Sequence, residues 1–189
     1  MPSVFLKNYL SELTGIINAV NVKEFEDLID ELTSAYGKQS NIFICGNGGS
    51  AATASHFACD INKGVSFGKE KRFRVICLND SIPTIMAYSN DVSYDSIFVE
   101  QLKNFMNAGD LLIVISGSGS SENVLKAVRY ANESGGKTFG ICGCGGGRLK
   151  DSAQKSLVIN SNDMQKVEDS HLMILHCVMQ WFNANACQS

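Results

Sequence analysis

Proline is almost missing from this chain: its 189 residues hold two, Pro2 and Pro83, and one tryptophan, Trp181. No linker, internal repeat or low-complexity tract is present either, so nothing marks a domain boundary. No apolar run approaches the roughly 20 residues needed to span a bilayer, so no membrane partner is expected. An excess of positive charge is also lacking, because 16 basic residues face 19 acidic ones for a net charge of -3. General nucleic-acid binders carry a basic patch, and this balance argues against one. The first residues, "MPSVFLKNYLSELTG", form a mixed amphipathic pattern with an acidic residue, which is not a signal peptide.

Cysteine is not scarce. Seven occur, at 45, 59, 77, 142, 144, 177 and 187. The number is odd and no export signal accompanies it, so reduced thiols in a cytoplasmic protein are expected. Cys142-Gly143-Cys144 lacks the spacer and second pair of a zinc ribbon and reads as packing or loop.

With 44% hydrophobic and 19% charged residues, the chain has the balance of an ordinary soluble globular protein. Leu6, Leu10, Leu13, Ile16 and Ile17 recur at helical spacing and predict a helix over 3–19; Phe25, Leu28, Ile29 and Leu32 predict another over 22–36. Short apolar runs follow at 41–45, 73–78, 111–116, 138–142 and 156–159. They are continuous rather than alternating, as in strands buried on both faces of a parallel sheet. Helices are expected between them at about 50–62, 96–107, 121–134 and 147–154, with a last one over 163–184. The alternation predicts a doubly wound α/β fold.

Ligands of such folds sit beyond the carboxyl ends of the strands. Two strand-to-helix turns have unusual chemistry there. "GNGGS", Gly46 to Ser50, gives tight backbone approach, unpaired helix amides and the side chains of Asn47 and Ser50. "SGSGSSENV", Ser116 to Val124, places Ser116, Ser118, Ser120 and Ser121 among glycines at another helix start. Neither contains lysine, and neither fits GxxxxGK[ST], which excludes a P-loop nucleotide triphosphatase. Each alone is compatible with ordinary turns; together they point to a phosphate site.

Three histidines are present. His56 and Asp60 are four apart on one helix face, a spacing that suits two ligands of one metal or a coupled acid–base pair. Glu168 and His176 are eight apart on the last helix and nearly on one face, about 12 Å apart along its axis. His176 lies in an apolar stretch with Ile174, Leu175 and Val178. His171 falls on a different face and reads as structural or interfacial.

These segments resemble the sugar-isomerase (SIS) domain proteins of the phosphoheptose isomerase, or sedoheptulose-7-phosphate isomerase, type. The resemblance covers "GNGGSA", "HFACD", "SNDVSYDSIFVEQL" at 89–102, "ISGSGSSENVLKA" at 115–127, the glycines at 145–147 and the final helix. It implies one SIS domain over 1–189, with a helical segment 1–37 and a core 38–189. That core is expected to be a three-layer αβα sandwich on a five-stranded parallel sheet, in a homotetramer with active sites at subunit interfaces. It also implies an enzyme that interconverts sedoheptulose 7-phosphate and a heptose aldose 7-phosphate through an enediol. Asn47, Gly48, Gly49, Ser50, Asn90, Asp91 and Glu168 are then expected to contact substrate, and Ser116, Gly117, Ser118 and Ser121 to hold the phosphate. His56, Asp60, Glu168 and His176 take the zinc or acid–base positions, with Asp60, Glu168 and His176 catalytic. Three residues depart from the family pattern: Asp60 stands for a glutamate, Glu168 for a glutamine and Gly117 for a threonine. Two other readings share the fold: a non-catalytic SIS module that binds a phosphosugar or a replication initiator, and an isomerase of another ketose phosphate. A carboxylate at 60 and a histidine at 176 favour the enzyme.

Overall fold

The computed structural model describes residues 1–185; Cys187 lies outside the described residues. Two helices lead, α1 (Pro2–Asn18) and α2 (Val22–Lys38), joined by an Asn21 side chain that accepts from the Lys23 amide as an N-cap. Then β1 (Asn41–Gly46) and α3 (Gly49–Cys59) run into a π-helical turn, Asp60–Val65. After β2 (Arg74–Cys77) come α4 (Ile82–Asp91), a 3₁₀ turn at Tyr94–Ser96 and α5 (Val99–Phe105). The rest is β3 (Leu111–Ser116), α6 (Glu122–Glu133), β4 (Lys137–Cys142), α7 (Gly147–Ser152), β5 (Lys155–Val158) and α8 (Met164–Asn185).

All five strands pair in parallel in the order β2-β1-β3-β4-β5. Alternate side chains feed two cores. Ile42, Ile44, Ile113 and Ile115 point to one face and pack with Leu28, Leu32, Phe57, Leu175 and Val178 from α2, α3 and α8. Phe43, Cys45, Leu112 and Val114 point to the other and pack with Phe98, the N-cap of α5, and with Leu102, Leu125, Val128 and Leu149 from α5, α6 and α7. Every residue of β3 is buried, which is why its run reads as unbroken apolar sequence. The expected αβα sandwich is therefore the observed one.

Both sheet edges are closed by side chains. The Asn62 amide donates to the Val75 carbonyl at 2.7 Å and accepts from the Val75 amide at 3.2 Å, standing in for a further strand beside β2. At the other edge, Glu24 of α2 accepts from the Val158 amide.

Three expectations shift. The predicted helix 50–62 is an α-helix to Cys59 continued by the π-helical turn. The predicted helix 96–107 is split into a 3₁₀ turn and α5. No helix is predicted over α4, because none of its residues is buried and no core imposes a periodicity on it.

The strand order reverses direction at β1 and β3, the switch point at which an α/β sheet opens a crevice at its carboxyl edge. Gly46 at the end of β1 lies opposite Ile115, one residue before Ser116. Both glycine-rich loops thus leave the sheet side by side.

Candidate active site

The first loop is shaped by close packing. A Cβ on Gly46 would fall 2.8 Å from the Ile115 carbonyl oxygen, and Gly48 adopts φ +55° as the N-cap of α3. No side chain caps α3, so its first amides face the crevice unpaired by a cap. Asn79 brackets the turn, accepting from the Gly46 amide and donating to its carbonyl. Asn47 exchanges reciprocal amide hydrogen bonds of 2.9 Å with Asn123, which is 1% exposed, and its Oδ1 also accepts from the Tyr94 hydroxyl.

The serine loop is folded partly by its own hydroxyls. Ser116 Oγ accepts from the Gly119 amide and Ser118 Oγ from the Ser120 amide, while Ser121 stands at the N-cap of α6 without a side-chain capping bond. Between the loops lies a cleft of about 140 Å³ lined by Asn47, Ser50, Ser116, Gly117, Ser118, Ser121, Met164 and Glu168. Two of these come from the first turns of α8. Met164 seats its sulfur where a side chain on Gly117 would stand, 2.4 Å from the position of a Cβ. The Glu168 carboxylate lies equally close to Gly49.

The second part of the site stands where α3 meets α8. His56 Nε2 and His176 Nε2 are 3.2 Å apart, and Asp60 Oδ2 is 3.4 Å from the first and 3.7 Å from the second. Which ring nitrogen donates in this contact depends on the tautomer of each imidazole. Two imidazoles and a carboxylate form the ligand set of a catalytic zinc, with a fourth position left open. Bonds of about 2.0–2.2 Å to a tetrahedral ion place ligand atoms roughly 3.3–3.6 Å apart, which the observed spacings match closely. These three residues fit a divalent metal.

Not every sequence-predicted residue joins these two groups. Glu168 is not part of the His56–Asp60–His176 trio and belongs to the cleft instead, as its eight-residue offset from His176 dictates. A four-ligand cluster that includes Glu168 is therefore not what the structure brings together. Asn90 and Asp91 bond to each other at the exposed end of α4 and do not line the cleft. Gly48 and Gly49 shape the cleft wall through the backbone. His176 does not sit in an apolar pocket: Ile174, Leu175 and Val178 turn into the core, and the imidazole between them is 47% exposed. His171 is the buried histidine, 1% exposed, and burial pushes its pKa below the usual histidine range. All six described cysteines are free; burial pushes the Cys77 and Cys142 thiols up to about 12, so neither is a nucleophile at neutral pH.

Sequence reasoning missed Asn123, Tyr94 and Met164. Asn123 lies in the quoted serine-loop segment and two residues past its last serine, so it had a signal. Tyr94 likewise lies in the quoted segment 89–102, whereas Met164 had no signal, since its contact with the loops comes from tertiary packing.

Fold and site together define an α/β protein with a lysine-free anion cradle and a histidine–carboxylate trio two helical turns away. The sequence profile described as SIS domain matches residues 8–143. Among curated relatives, a protein named phosphoheptose isomerase from Aliarcobacter butzleri (strain RM4018) is 33% identical over 182 residues, 95% of this chain and 96% of the relative. Another of that name from Campylobacter concisus (strain 13826) is 36% identical over 139 residues, 74% of this chain and 73% of the relative. The structure of a phosphoheptose isomerase from Francisella tularensis superposes with a TM-score of 0.87 at 24% identity, covering 98% of this chain and all of that one. The chain belongs to the SIS-domain family, and within it to the phosphoheptose isomerases.

Proposed function

We propose that this protein is an aldose–ketose isomerase that converts sedoheptulose 7-phosphate to D-glycero-D-manno-heptose 7-phosphate, holding the phosphate in the cleft and doing the chemistry at the trio. The observation that carries the reading is the separation of the two groups along shared helices. On α3, Ser50 lines the cleft and His56 follows six residues later, about 9 Å along the axis; on α8, Glu168 and His176 are about 12 Å apart. An opened seven-carbon chain spans about 10 Å from phosphorus to C1 at roughly 1.25 Å per bond projected on its axis. A phosphate anchored at one end thus brings C1 and C2 to the other, and distant binding energy orients the reacting carbons.

The chemistry follows from the residues at each end. Ser116, Ser118 and Ser121 and the capless starts of α3 and α6 offer hydroxyls and amides to the phosphate. Asn47, locked by Asn123 and Tyr94, and Glu168 present polar atoms to the sugar hydroxyls. His176 exchanges a proton with the ring oxygen, which opens the ring and exposes the C2 carbonyl. Asp60 removes a proton from C1 to give the enediol, then returns it to C2 while the O1 and O2 protons move through the paired imidazoles. The carbon skeleton and phosphate are unchanged, so the step is a redox-neutral isomerisation. Zinc held by His56, Asp60 and His176 would instead supply a Lewis acid at the carbonyl oxygen when bound, in place of proton transfer by Asp60 and His176.

The same reading assigns the chain to a homotetramer with sites near subunit contacts. In support, α1 and α4 bury no residue in this chain, and Phe5, Leu6, Leu10, Ile82 and Met86 are more than half exposed. It also takes residues 1–189 as one domain and the cytoplasm as its compartment. Among the described residues no helix is long and apolar enough to cross a membrane.

The test is conversion of sedoheptulose 7-phosphate in D₂O. Aldose product carrying deuterium at C2 supports an enediol formed by proton transfer; no product with any seven-carbon ketose phosphate contradicts the assignment.

A further inference from the structure

The serine loop contains no lysine or arginine, yet it has to hold three hydroxyls, those of Ser116, Ser118 and Ser121, in fixed positions around a dianion. Its carbonyl oxygens are the hazard, since any that turned into the cleft would repel the phosphate. Three of them are held by one neighbouring segment, the connection from β4 into α7. The Gly143 amide donates to the Gly117 carbonyl at 3.1 Å, the Leu149 amide to the Gly119 carbonyl at 2.8 Å, and Arg148 Nη2 to the Ser120 carbonyl at 2.9 Å. None of these donors lines the cleft. The carbonyls they bind therefore face away from it.

The approach is too close for side chains. A Cβ on Gly119 would fall 2.0 Å from the Gly146 oxygen, and one on Gly147 2.4 Å from the Ser118 oxygen; both glycines have positive φ. Arg148 is the one side chain in this contact that reaches the loop. Its Nη1 stands 3.2 Å from Glu122, which Arg129 also binds. Glu122 opens α6 beside the cleft, where a free carboxylate would compete with an incoming anion for the helix start. The two guanidinium groups hold the Glu122 carboxyl below its usual range and draw it toward Arg129 and Arg148.

We propose that the glycine segment 143–147 with Arg148 is a brace that sets the serine loop in its anion-binding form, and that Arg148 is a positioning residue for phosphate affinity. It touches no substrate; it acts through the Ser120 carbonyl and Glu122. The inference rests on the reading that the cleft takes the phosphate end of the sugar.

The experiment compares wild type with Arg148→Ala and Arg148→Lys in two assays: steady-state isomerisation of sedoheptulose 7-phosphate, and calorimetric titration with inorganic phosphate. Loss of one charge-assisted bond on an exposed side chain is expected to raise KM and the phosphate Kd about three- to tenfold, with kcat within about twofold. Arg148→Lys supplies one donor where the fork supplies two, so it is expected to recover only part of the affinity. Unchanged KM and phosphate Kd in folded Arg148→Ala overturns the brace, as does full recovery by lysine, which would reduce the residue to a point charge. If Arg148→Ala fails to fold, the lysine variant decides by the same two constants. A wild type that binds phosphate but isomerises nothing leaves the brace testable by titration while contradicting the proposed activity.

Discussion

The carboxylate of Glu168 occupies the space that a side chain at Gly49 would take: a Cβ built on Gly49 falls 2.4 Å from Glu168 Oε2. The first turn of α3 and the first half of α8 are fitted to each other at this point. The carboxylate rests at a helix start, where the positive end of the dipole favours it. Gly49→Ala is expected to push the flexible end of Glu168 out of the cleft wall at little cost in stability, since no backbone atom stands in the way. The check is thermal unfolding beside the KM for sedoheptulose 7-phosphate: a near-wild-type Tm together with a raised KM is expected, and a wild-type KM would show that the position of Glu168 does not matter to the cleft.

Removing the charge without the shape separates two effects. Glu168→Gln keeps the volume and one carbonyl oxygen, and it restores the residue type that the family resemblance leads one to expect. A carboxylate in the phosphate cleft raises the electrostatic cost of binding a dianion, so the glutamine variant is expected to bind inorganic phosphate more tightly by about two- to fivefold at low salt, a gain that shrinks as ionic strength rises. Titration at two salt concentrations reads this directly. Weaker phosphate binding by the variant would mean that the carboxylate orders the cleft more than it repels the anion.

The trio of His56, Asp60 and His176 makes a binding statement independent of turnover. Equilibrium dialysis of wild type against zinc is expected to give one bound ion per chain, and His56→Ala or His176→Ala to lose it, because two remaining ligands hold a divalent ion far more weakly than three. Glu168→Gln is expected to keep the metal, since that residue stands apart from the trio. Retention by both histidine variants would place any zinc elsewhere.

His171 makes stability depend on pH. It is buried and neutral, with its pKa lowered from the ordinary value of 6.5 by burial, only partly offset by the Cys142 backbone. The unfolded chain therefore takes up a proton that the folded chain resists. The contribution is fully present above pH 6.5 and is lost as pH falls from there through the lower folded value, at up to about 1.4 kcal/mol per pH unit. Urea unfolding of wild type and His171→Leu between pH 5 and 8 is expected to show a shallower slope in the variant on the acid side. Parallel curves would show that His171 does not set the acid limit.

The buried parts of this molecule were the legible ones. The strands β1, β3 and β4 are buried on both faces, so their sequences carry long apolar runs and their positions can be read directly. α4 buries nothing and left no apolar periodicity to read. At the site, residues close in sequence were legible as groups: His56 with Asp60, and the serines of one loop. The meeting of His56 with His176 depends on how α3 crosses α8 and has no local signature, although each histidine was singled out. Glu168 was assigned to both groups because helical spacing gives direction along an axis but not which neighbour a side chain finds; packing puts it against Gly49 in the cleft. Asn90 and Asp91 were taken from the family pattern and lie at an exposed helix end in the single chain.

The central claim is that Asp60 moves the proton between C1 and C2 while the cleft holds the phosphate. Asp60→Asn keeps the shape and removes the base. Turnover of sedoheptulose 7-phosphate by purified wild type and Asp60→Asn, measured beside inorganic phosphate binding, tests it most directly. The expected result is a loss of at least about a hundredfold in kcat with the phosphate Kd within about twofold. Asp60→Asn turning over at the wild-type rate would contradict the assignment.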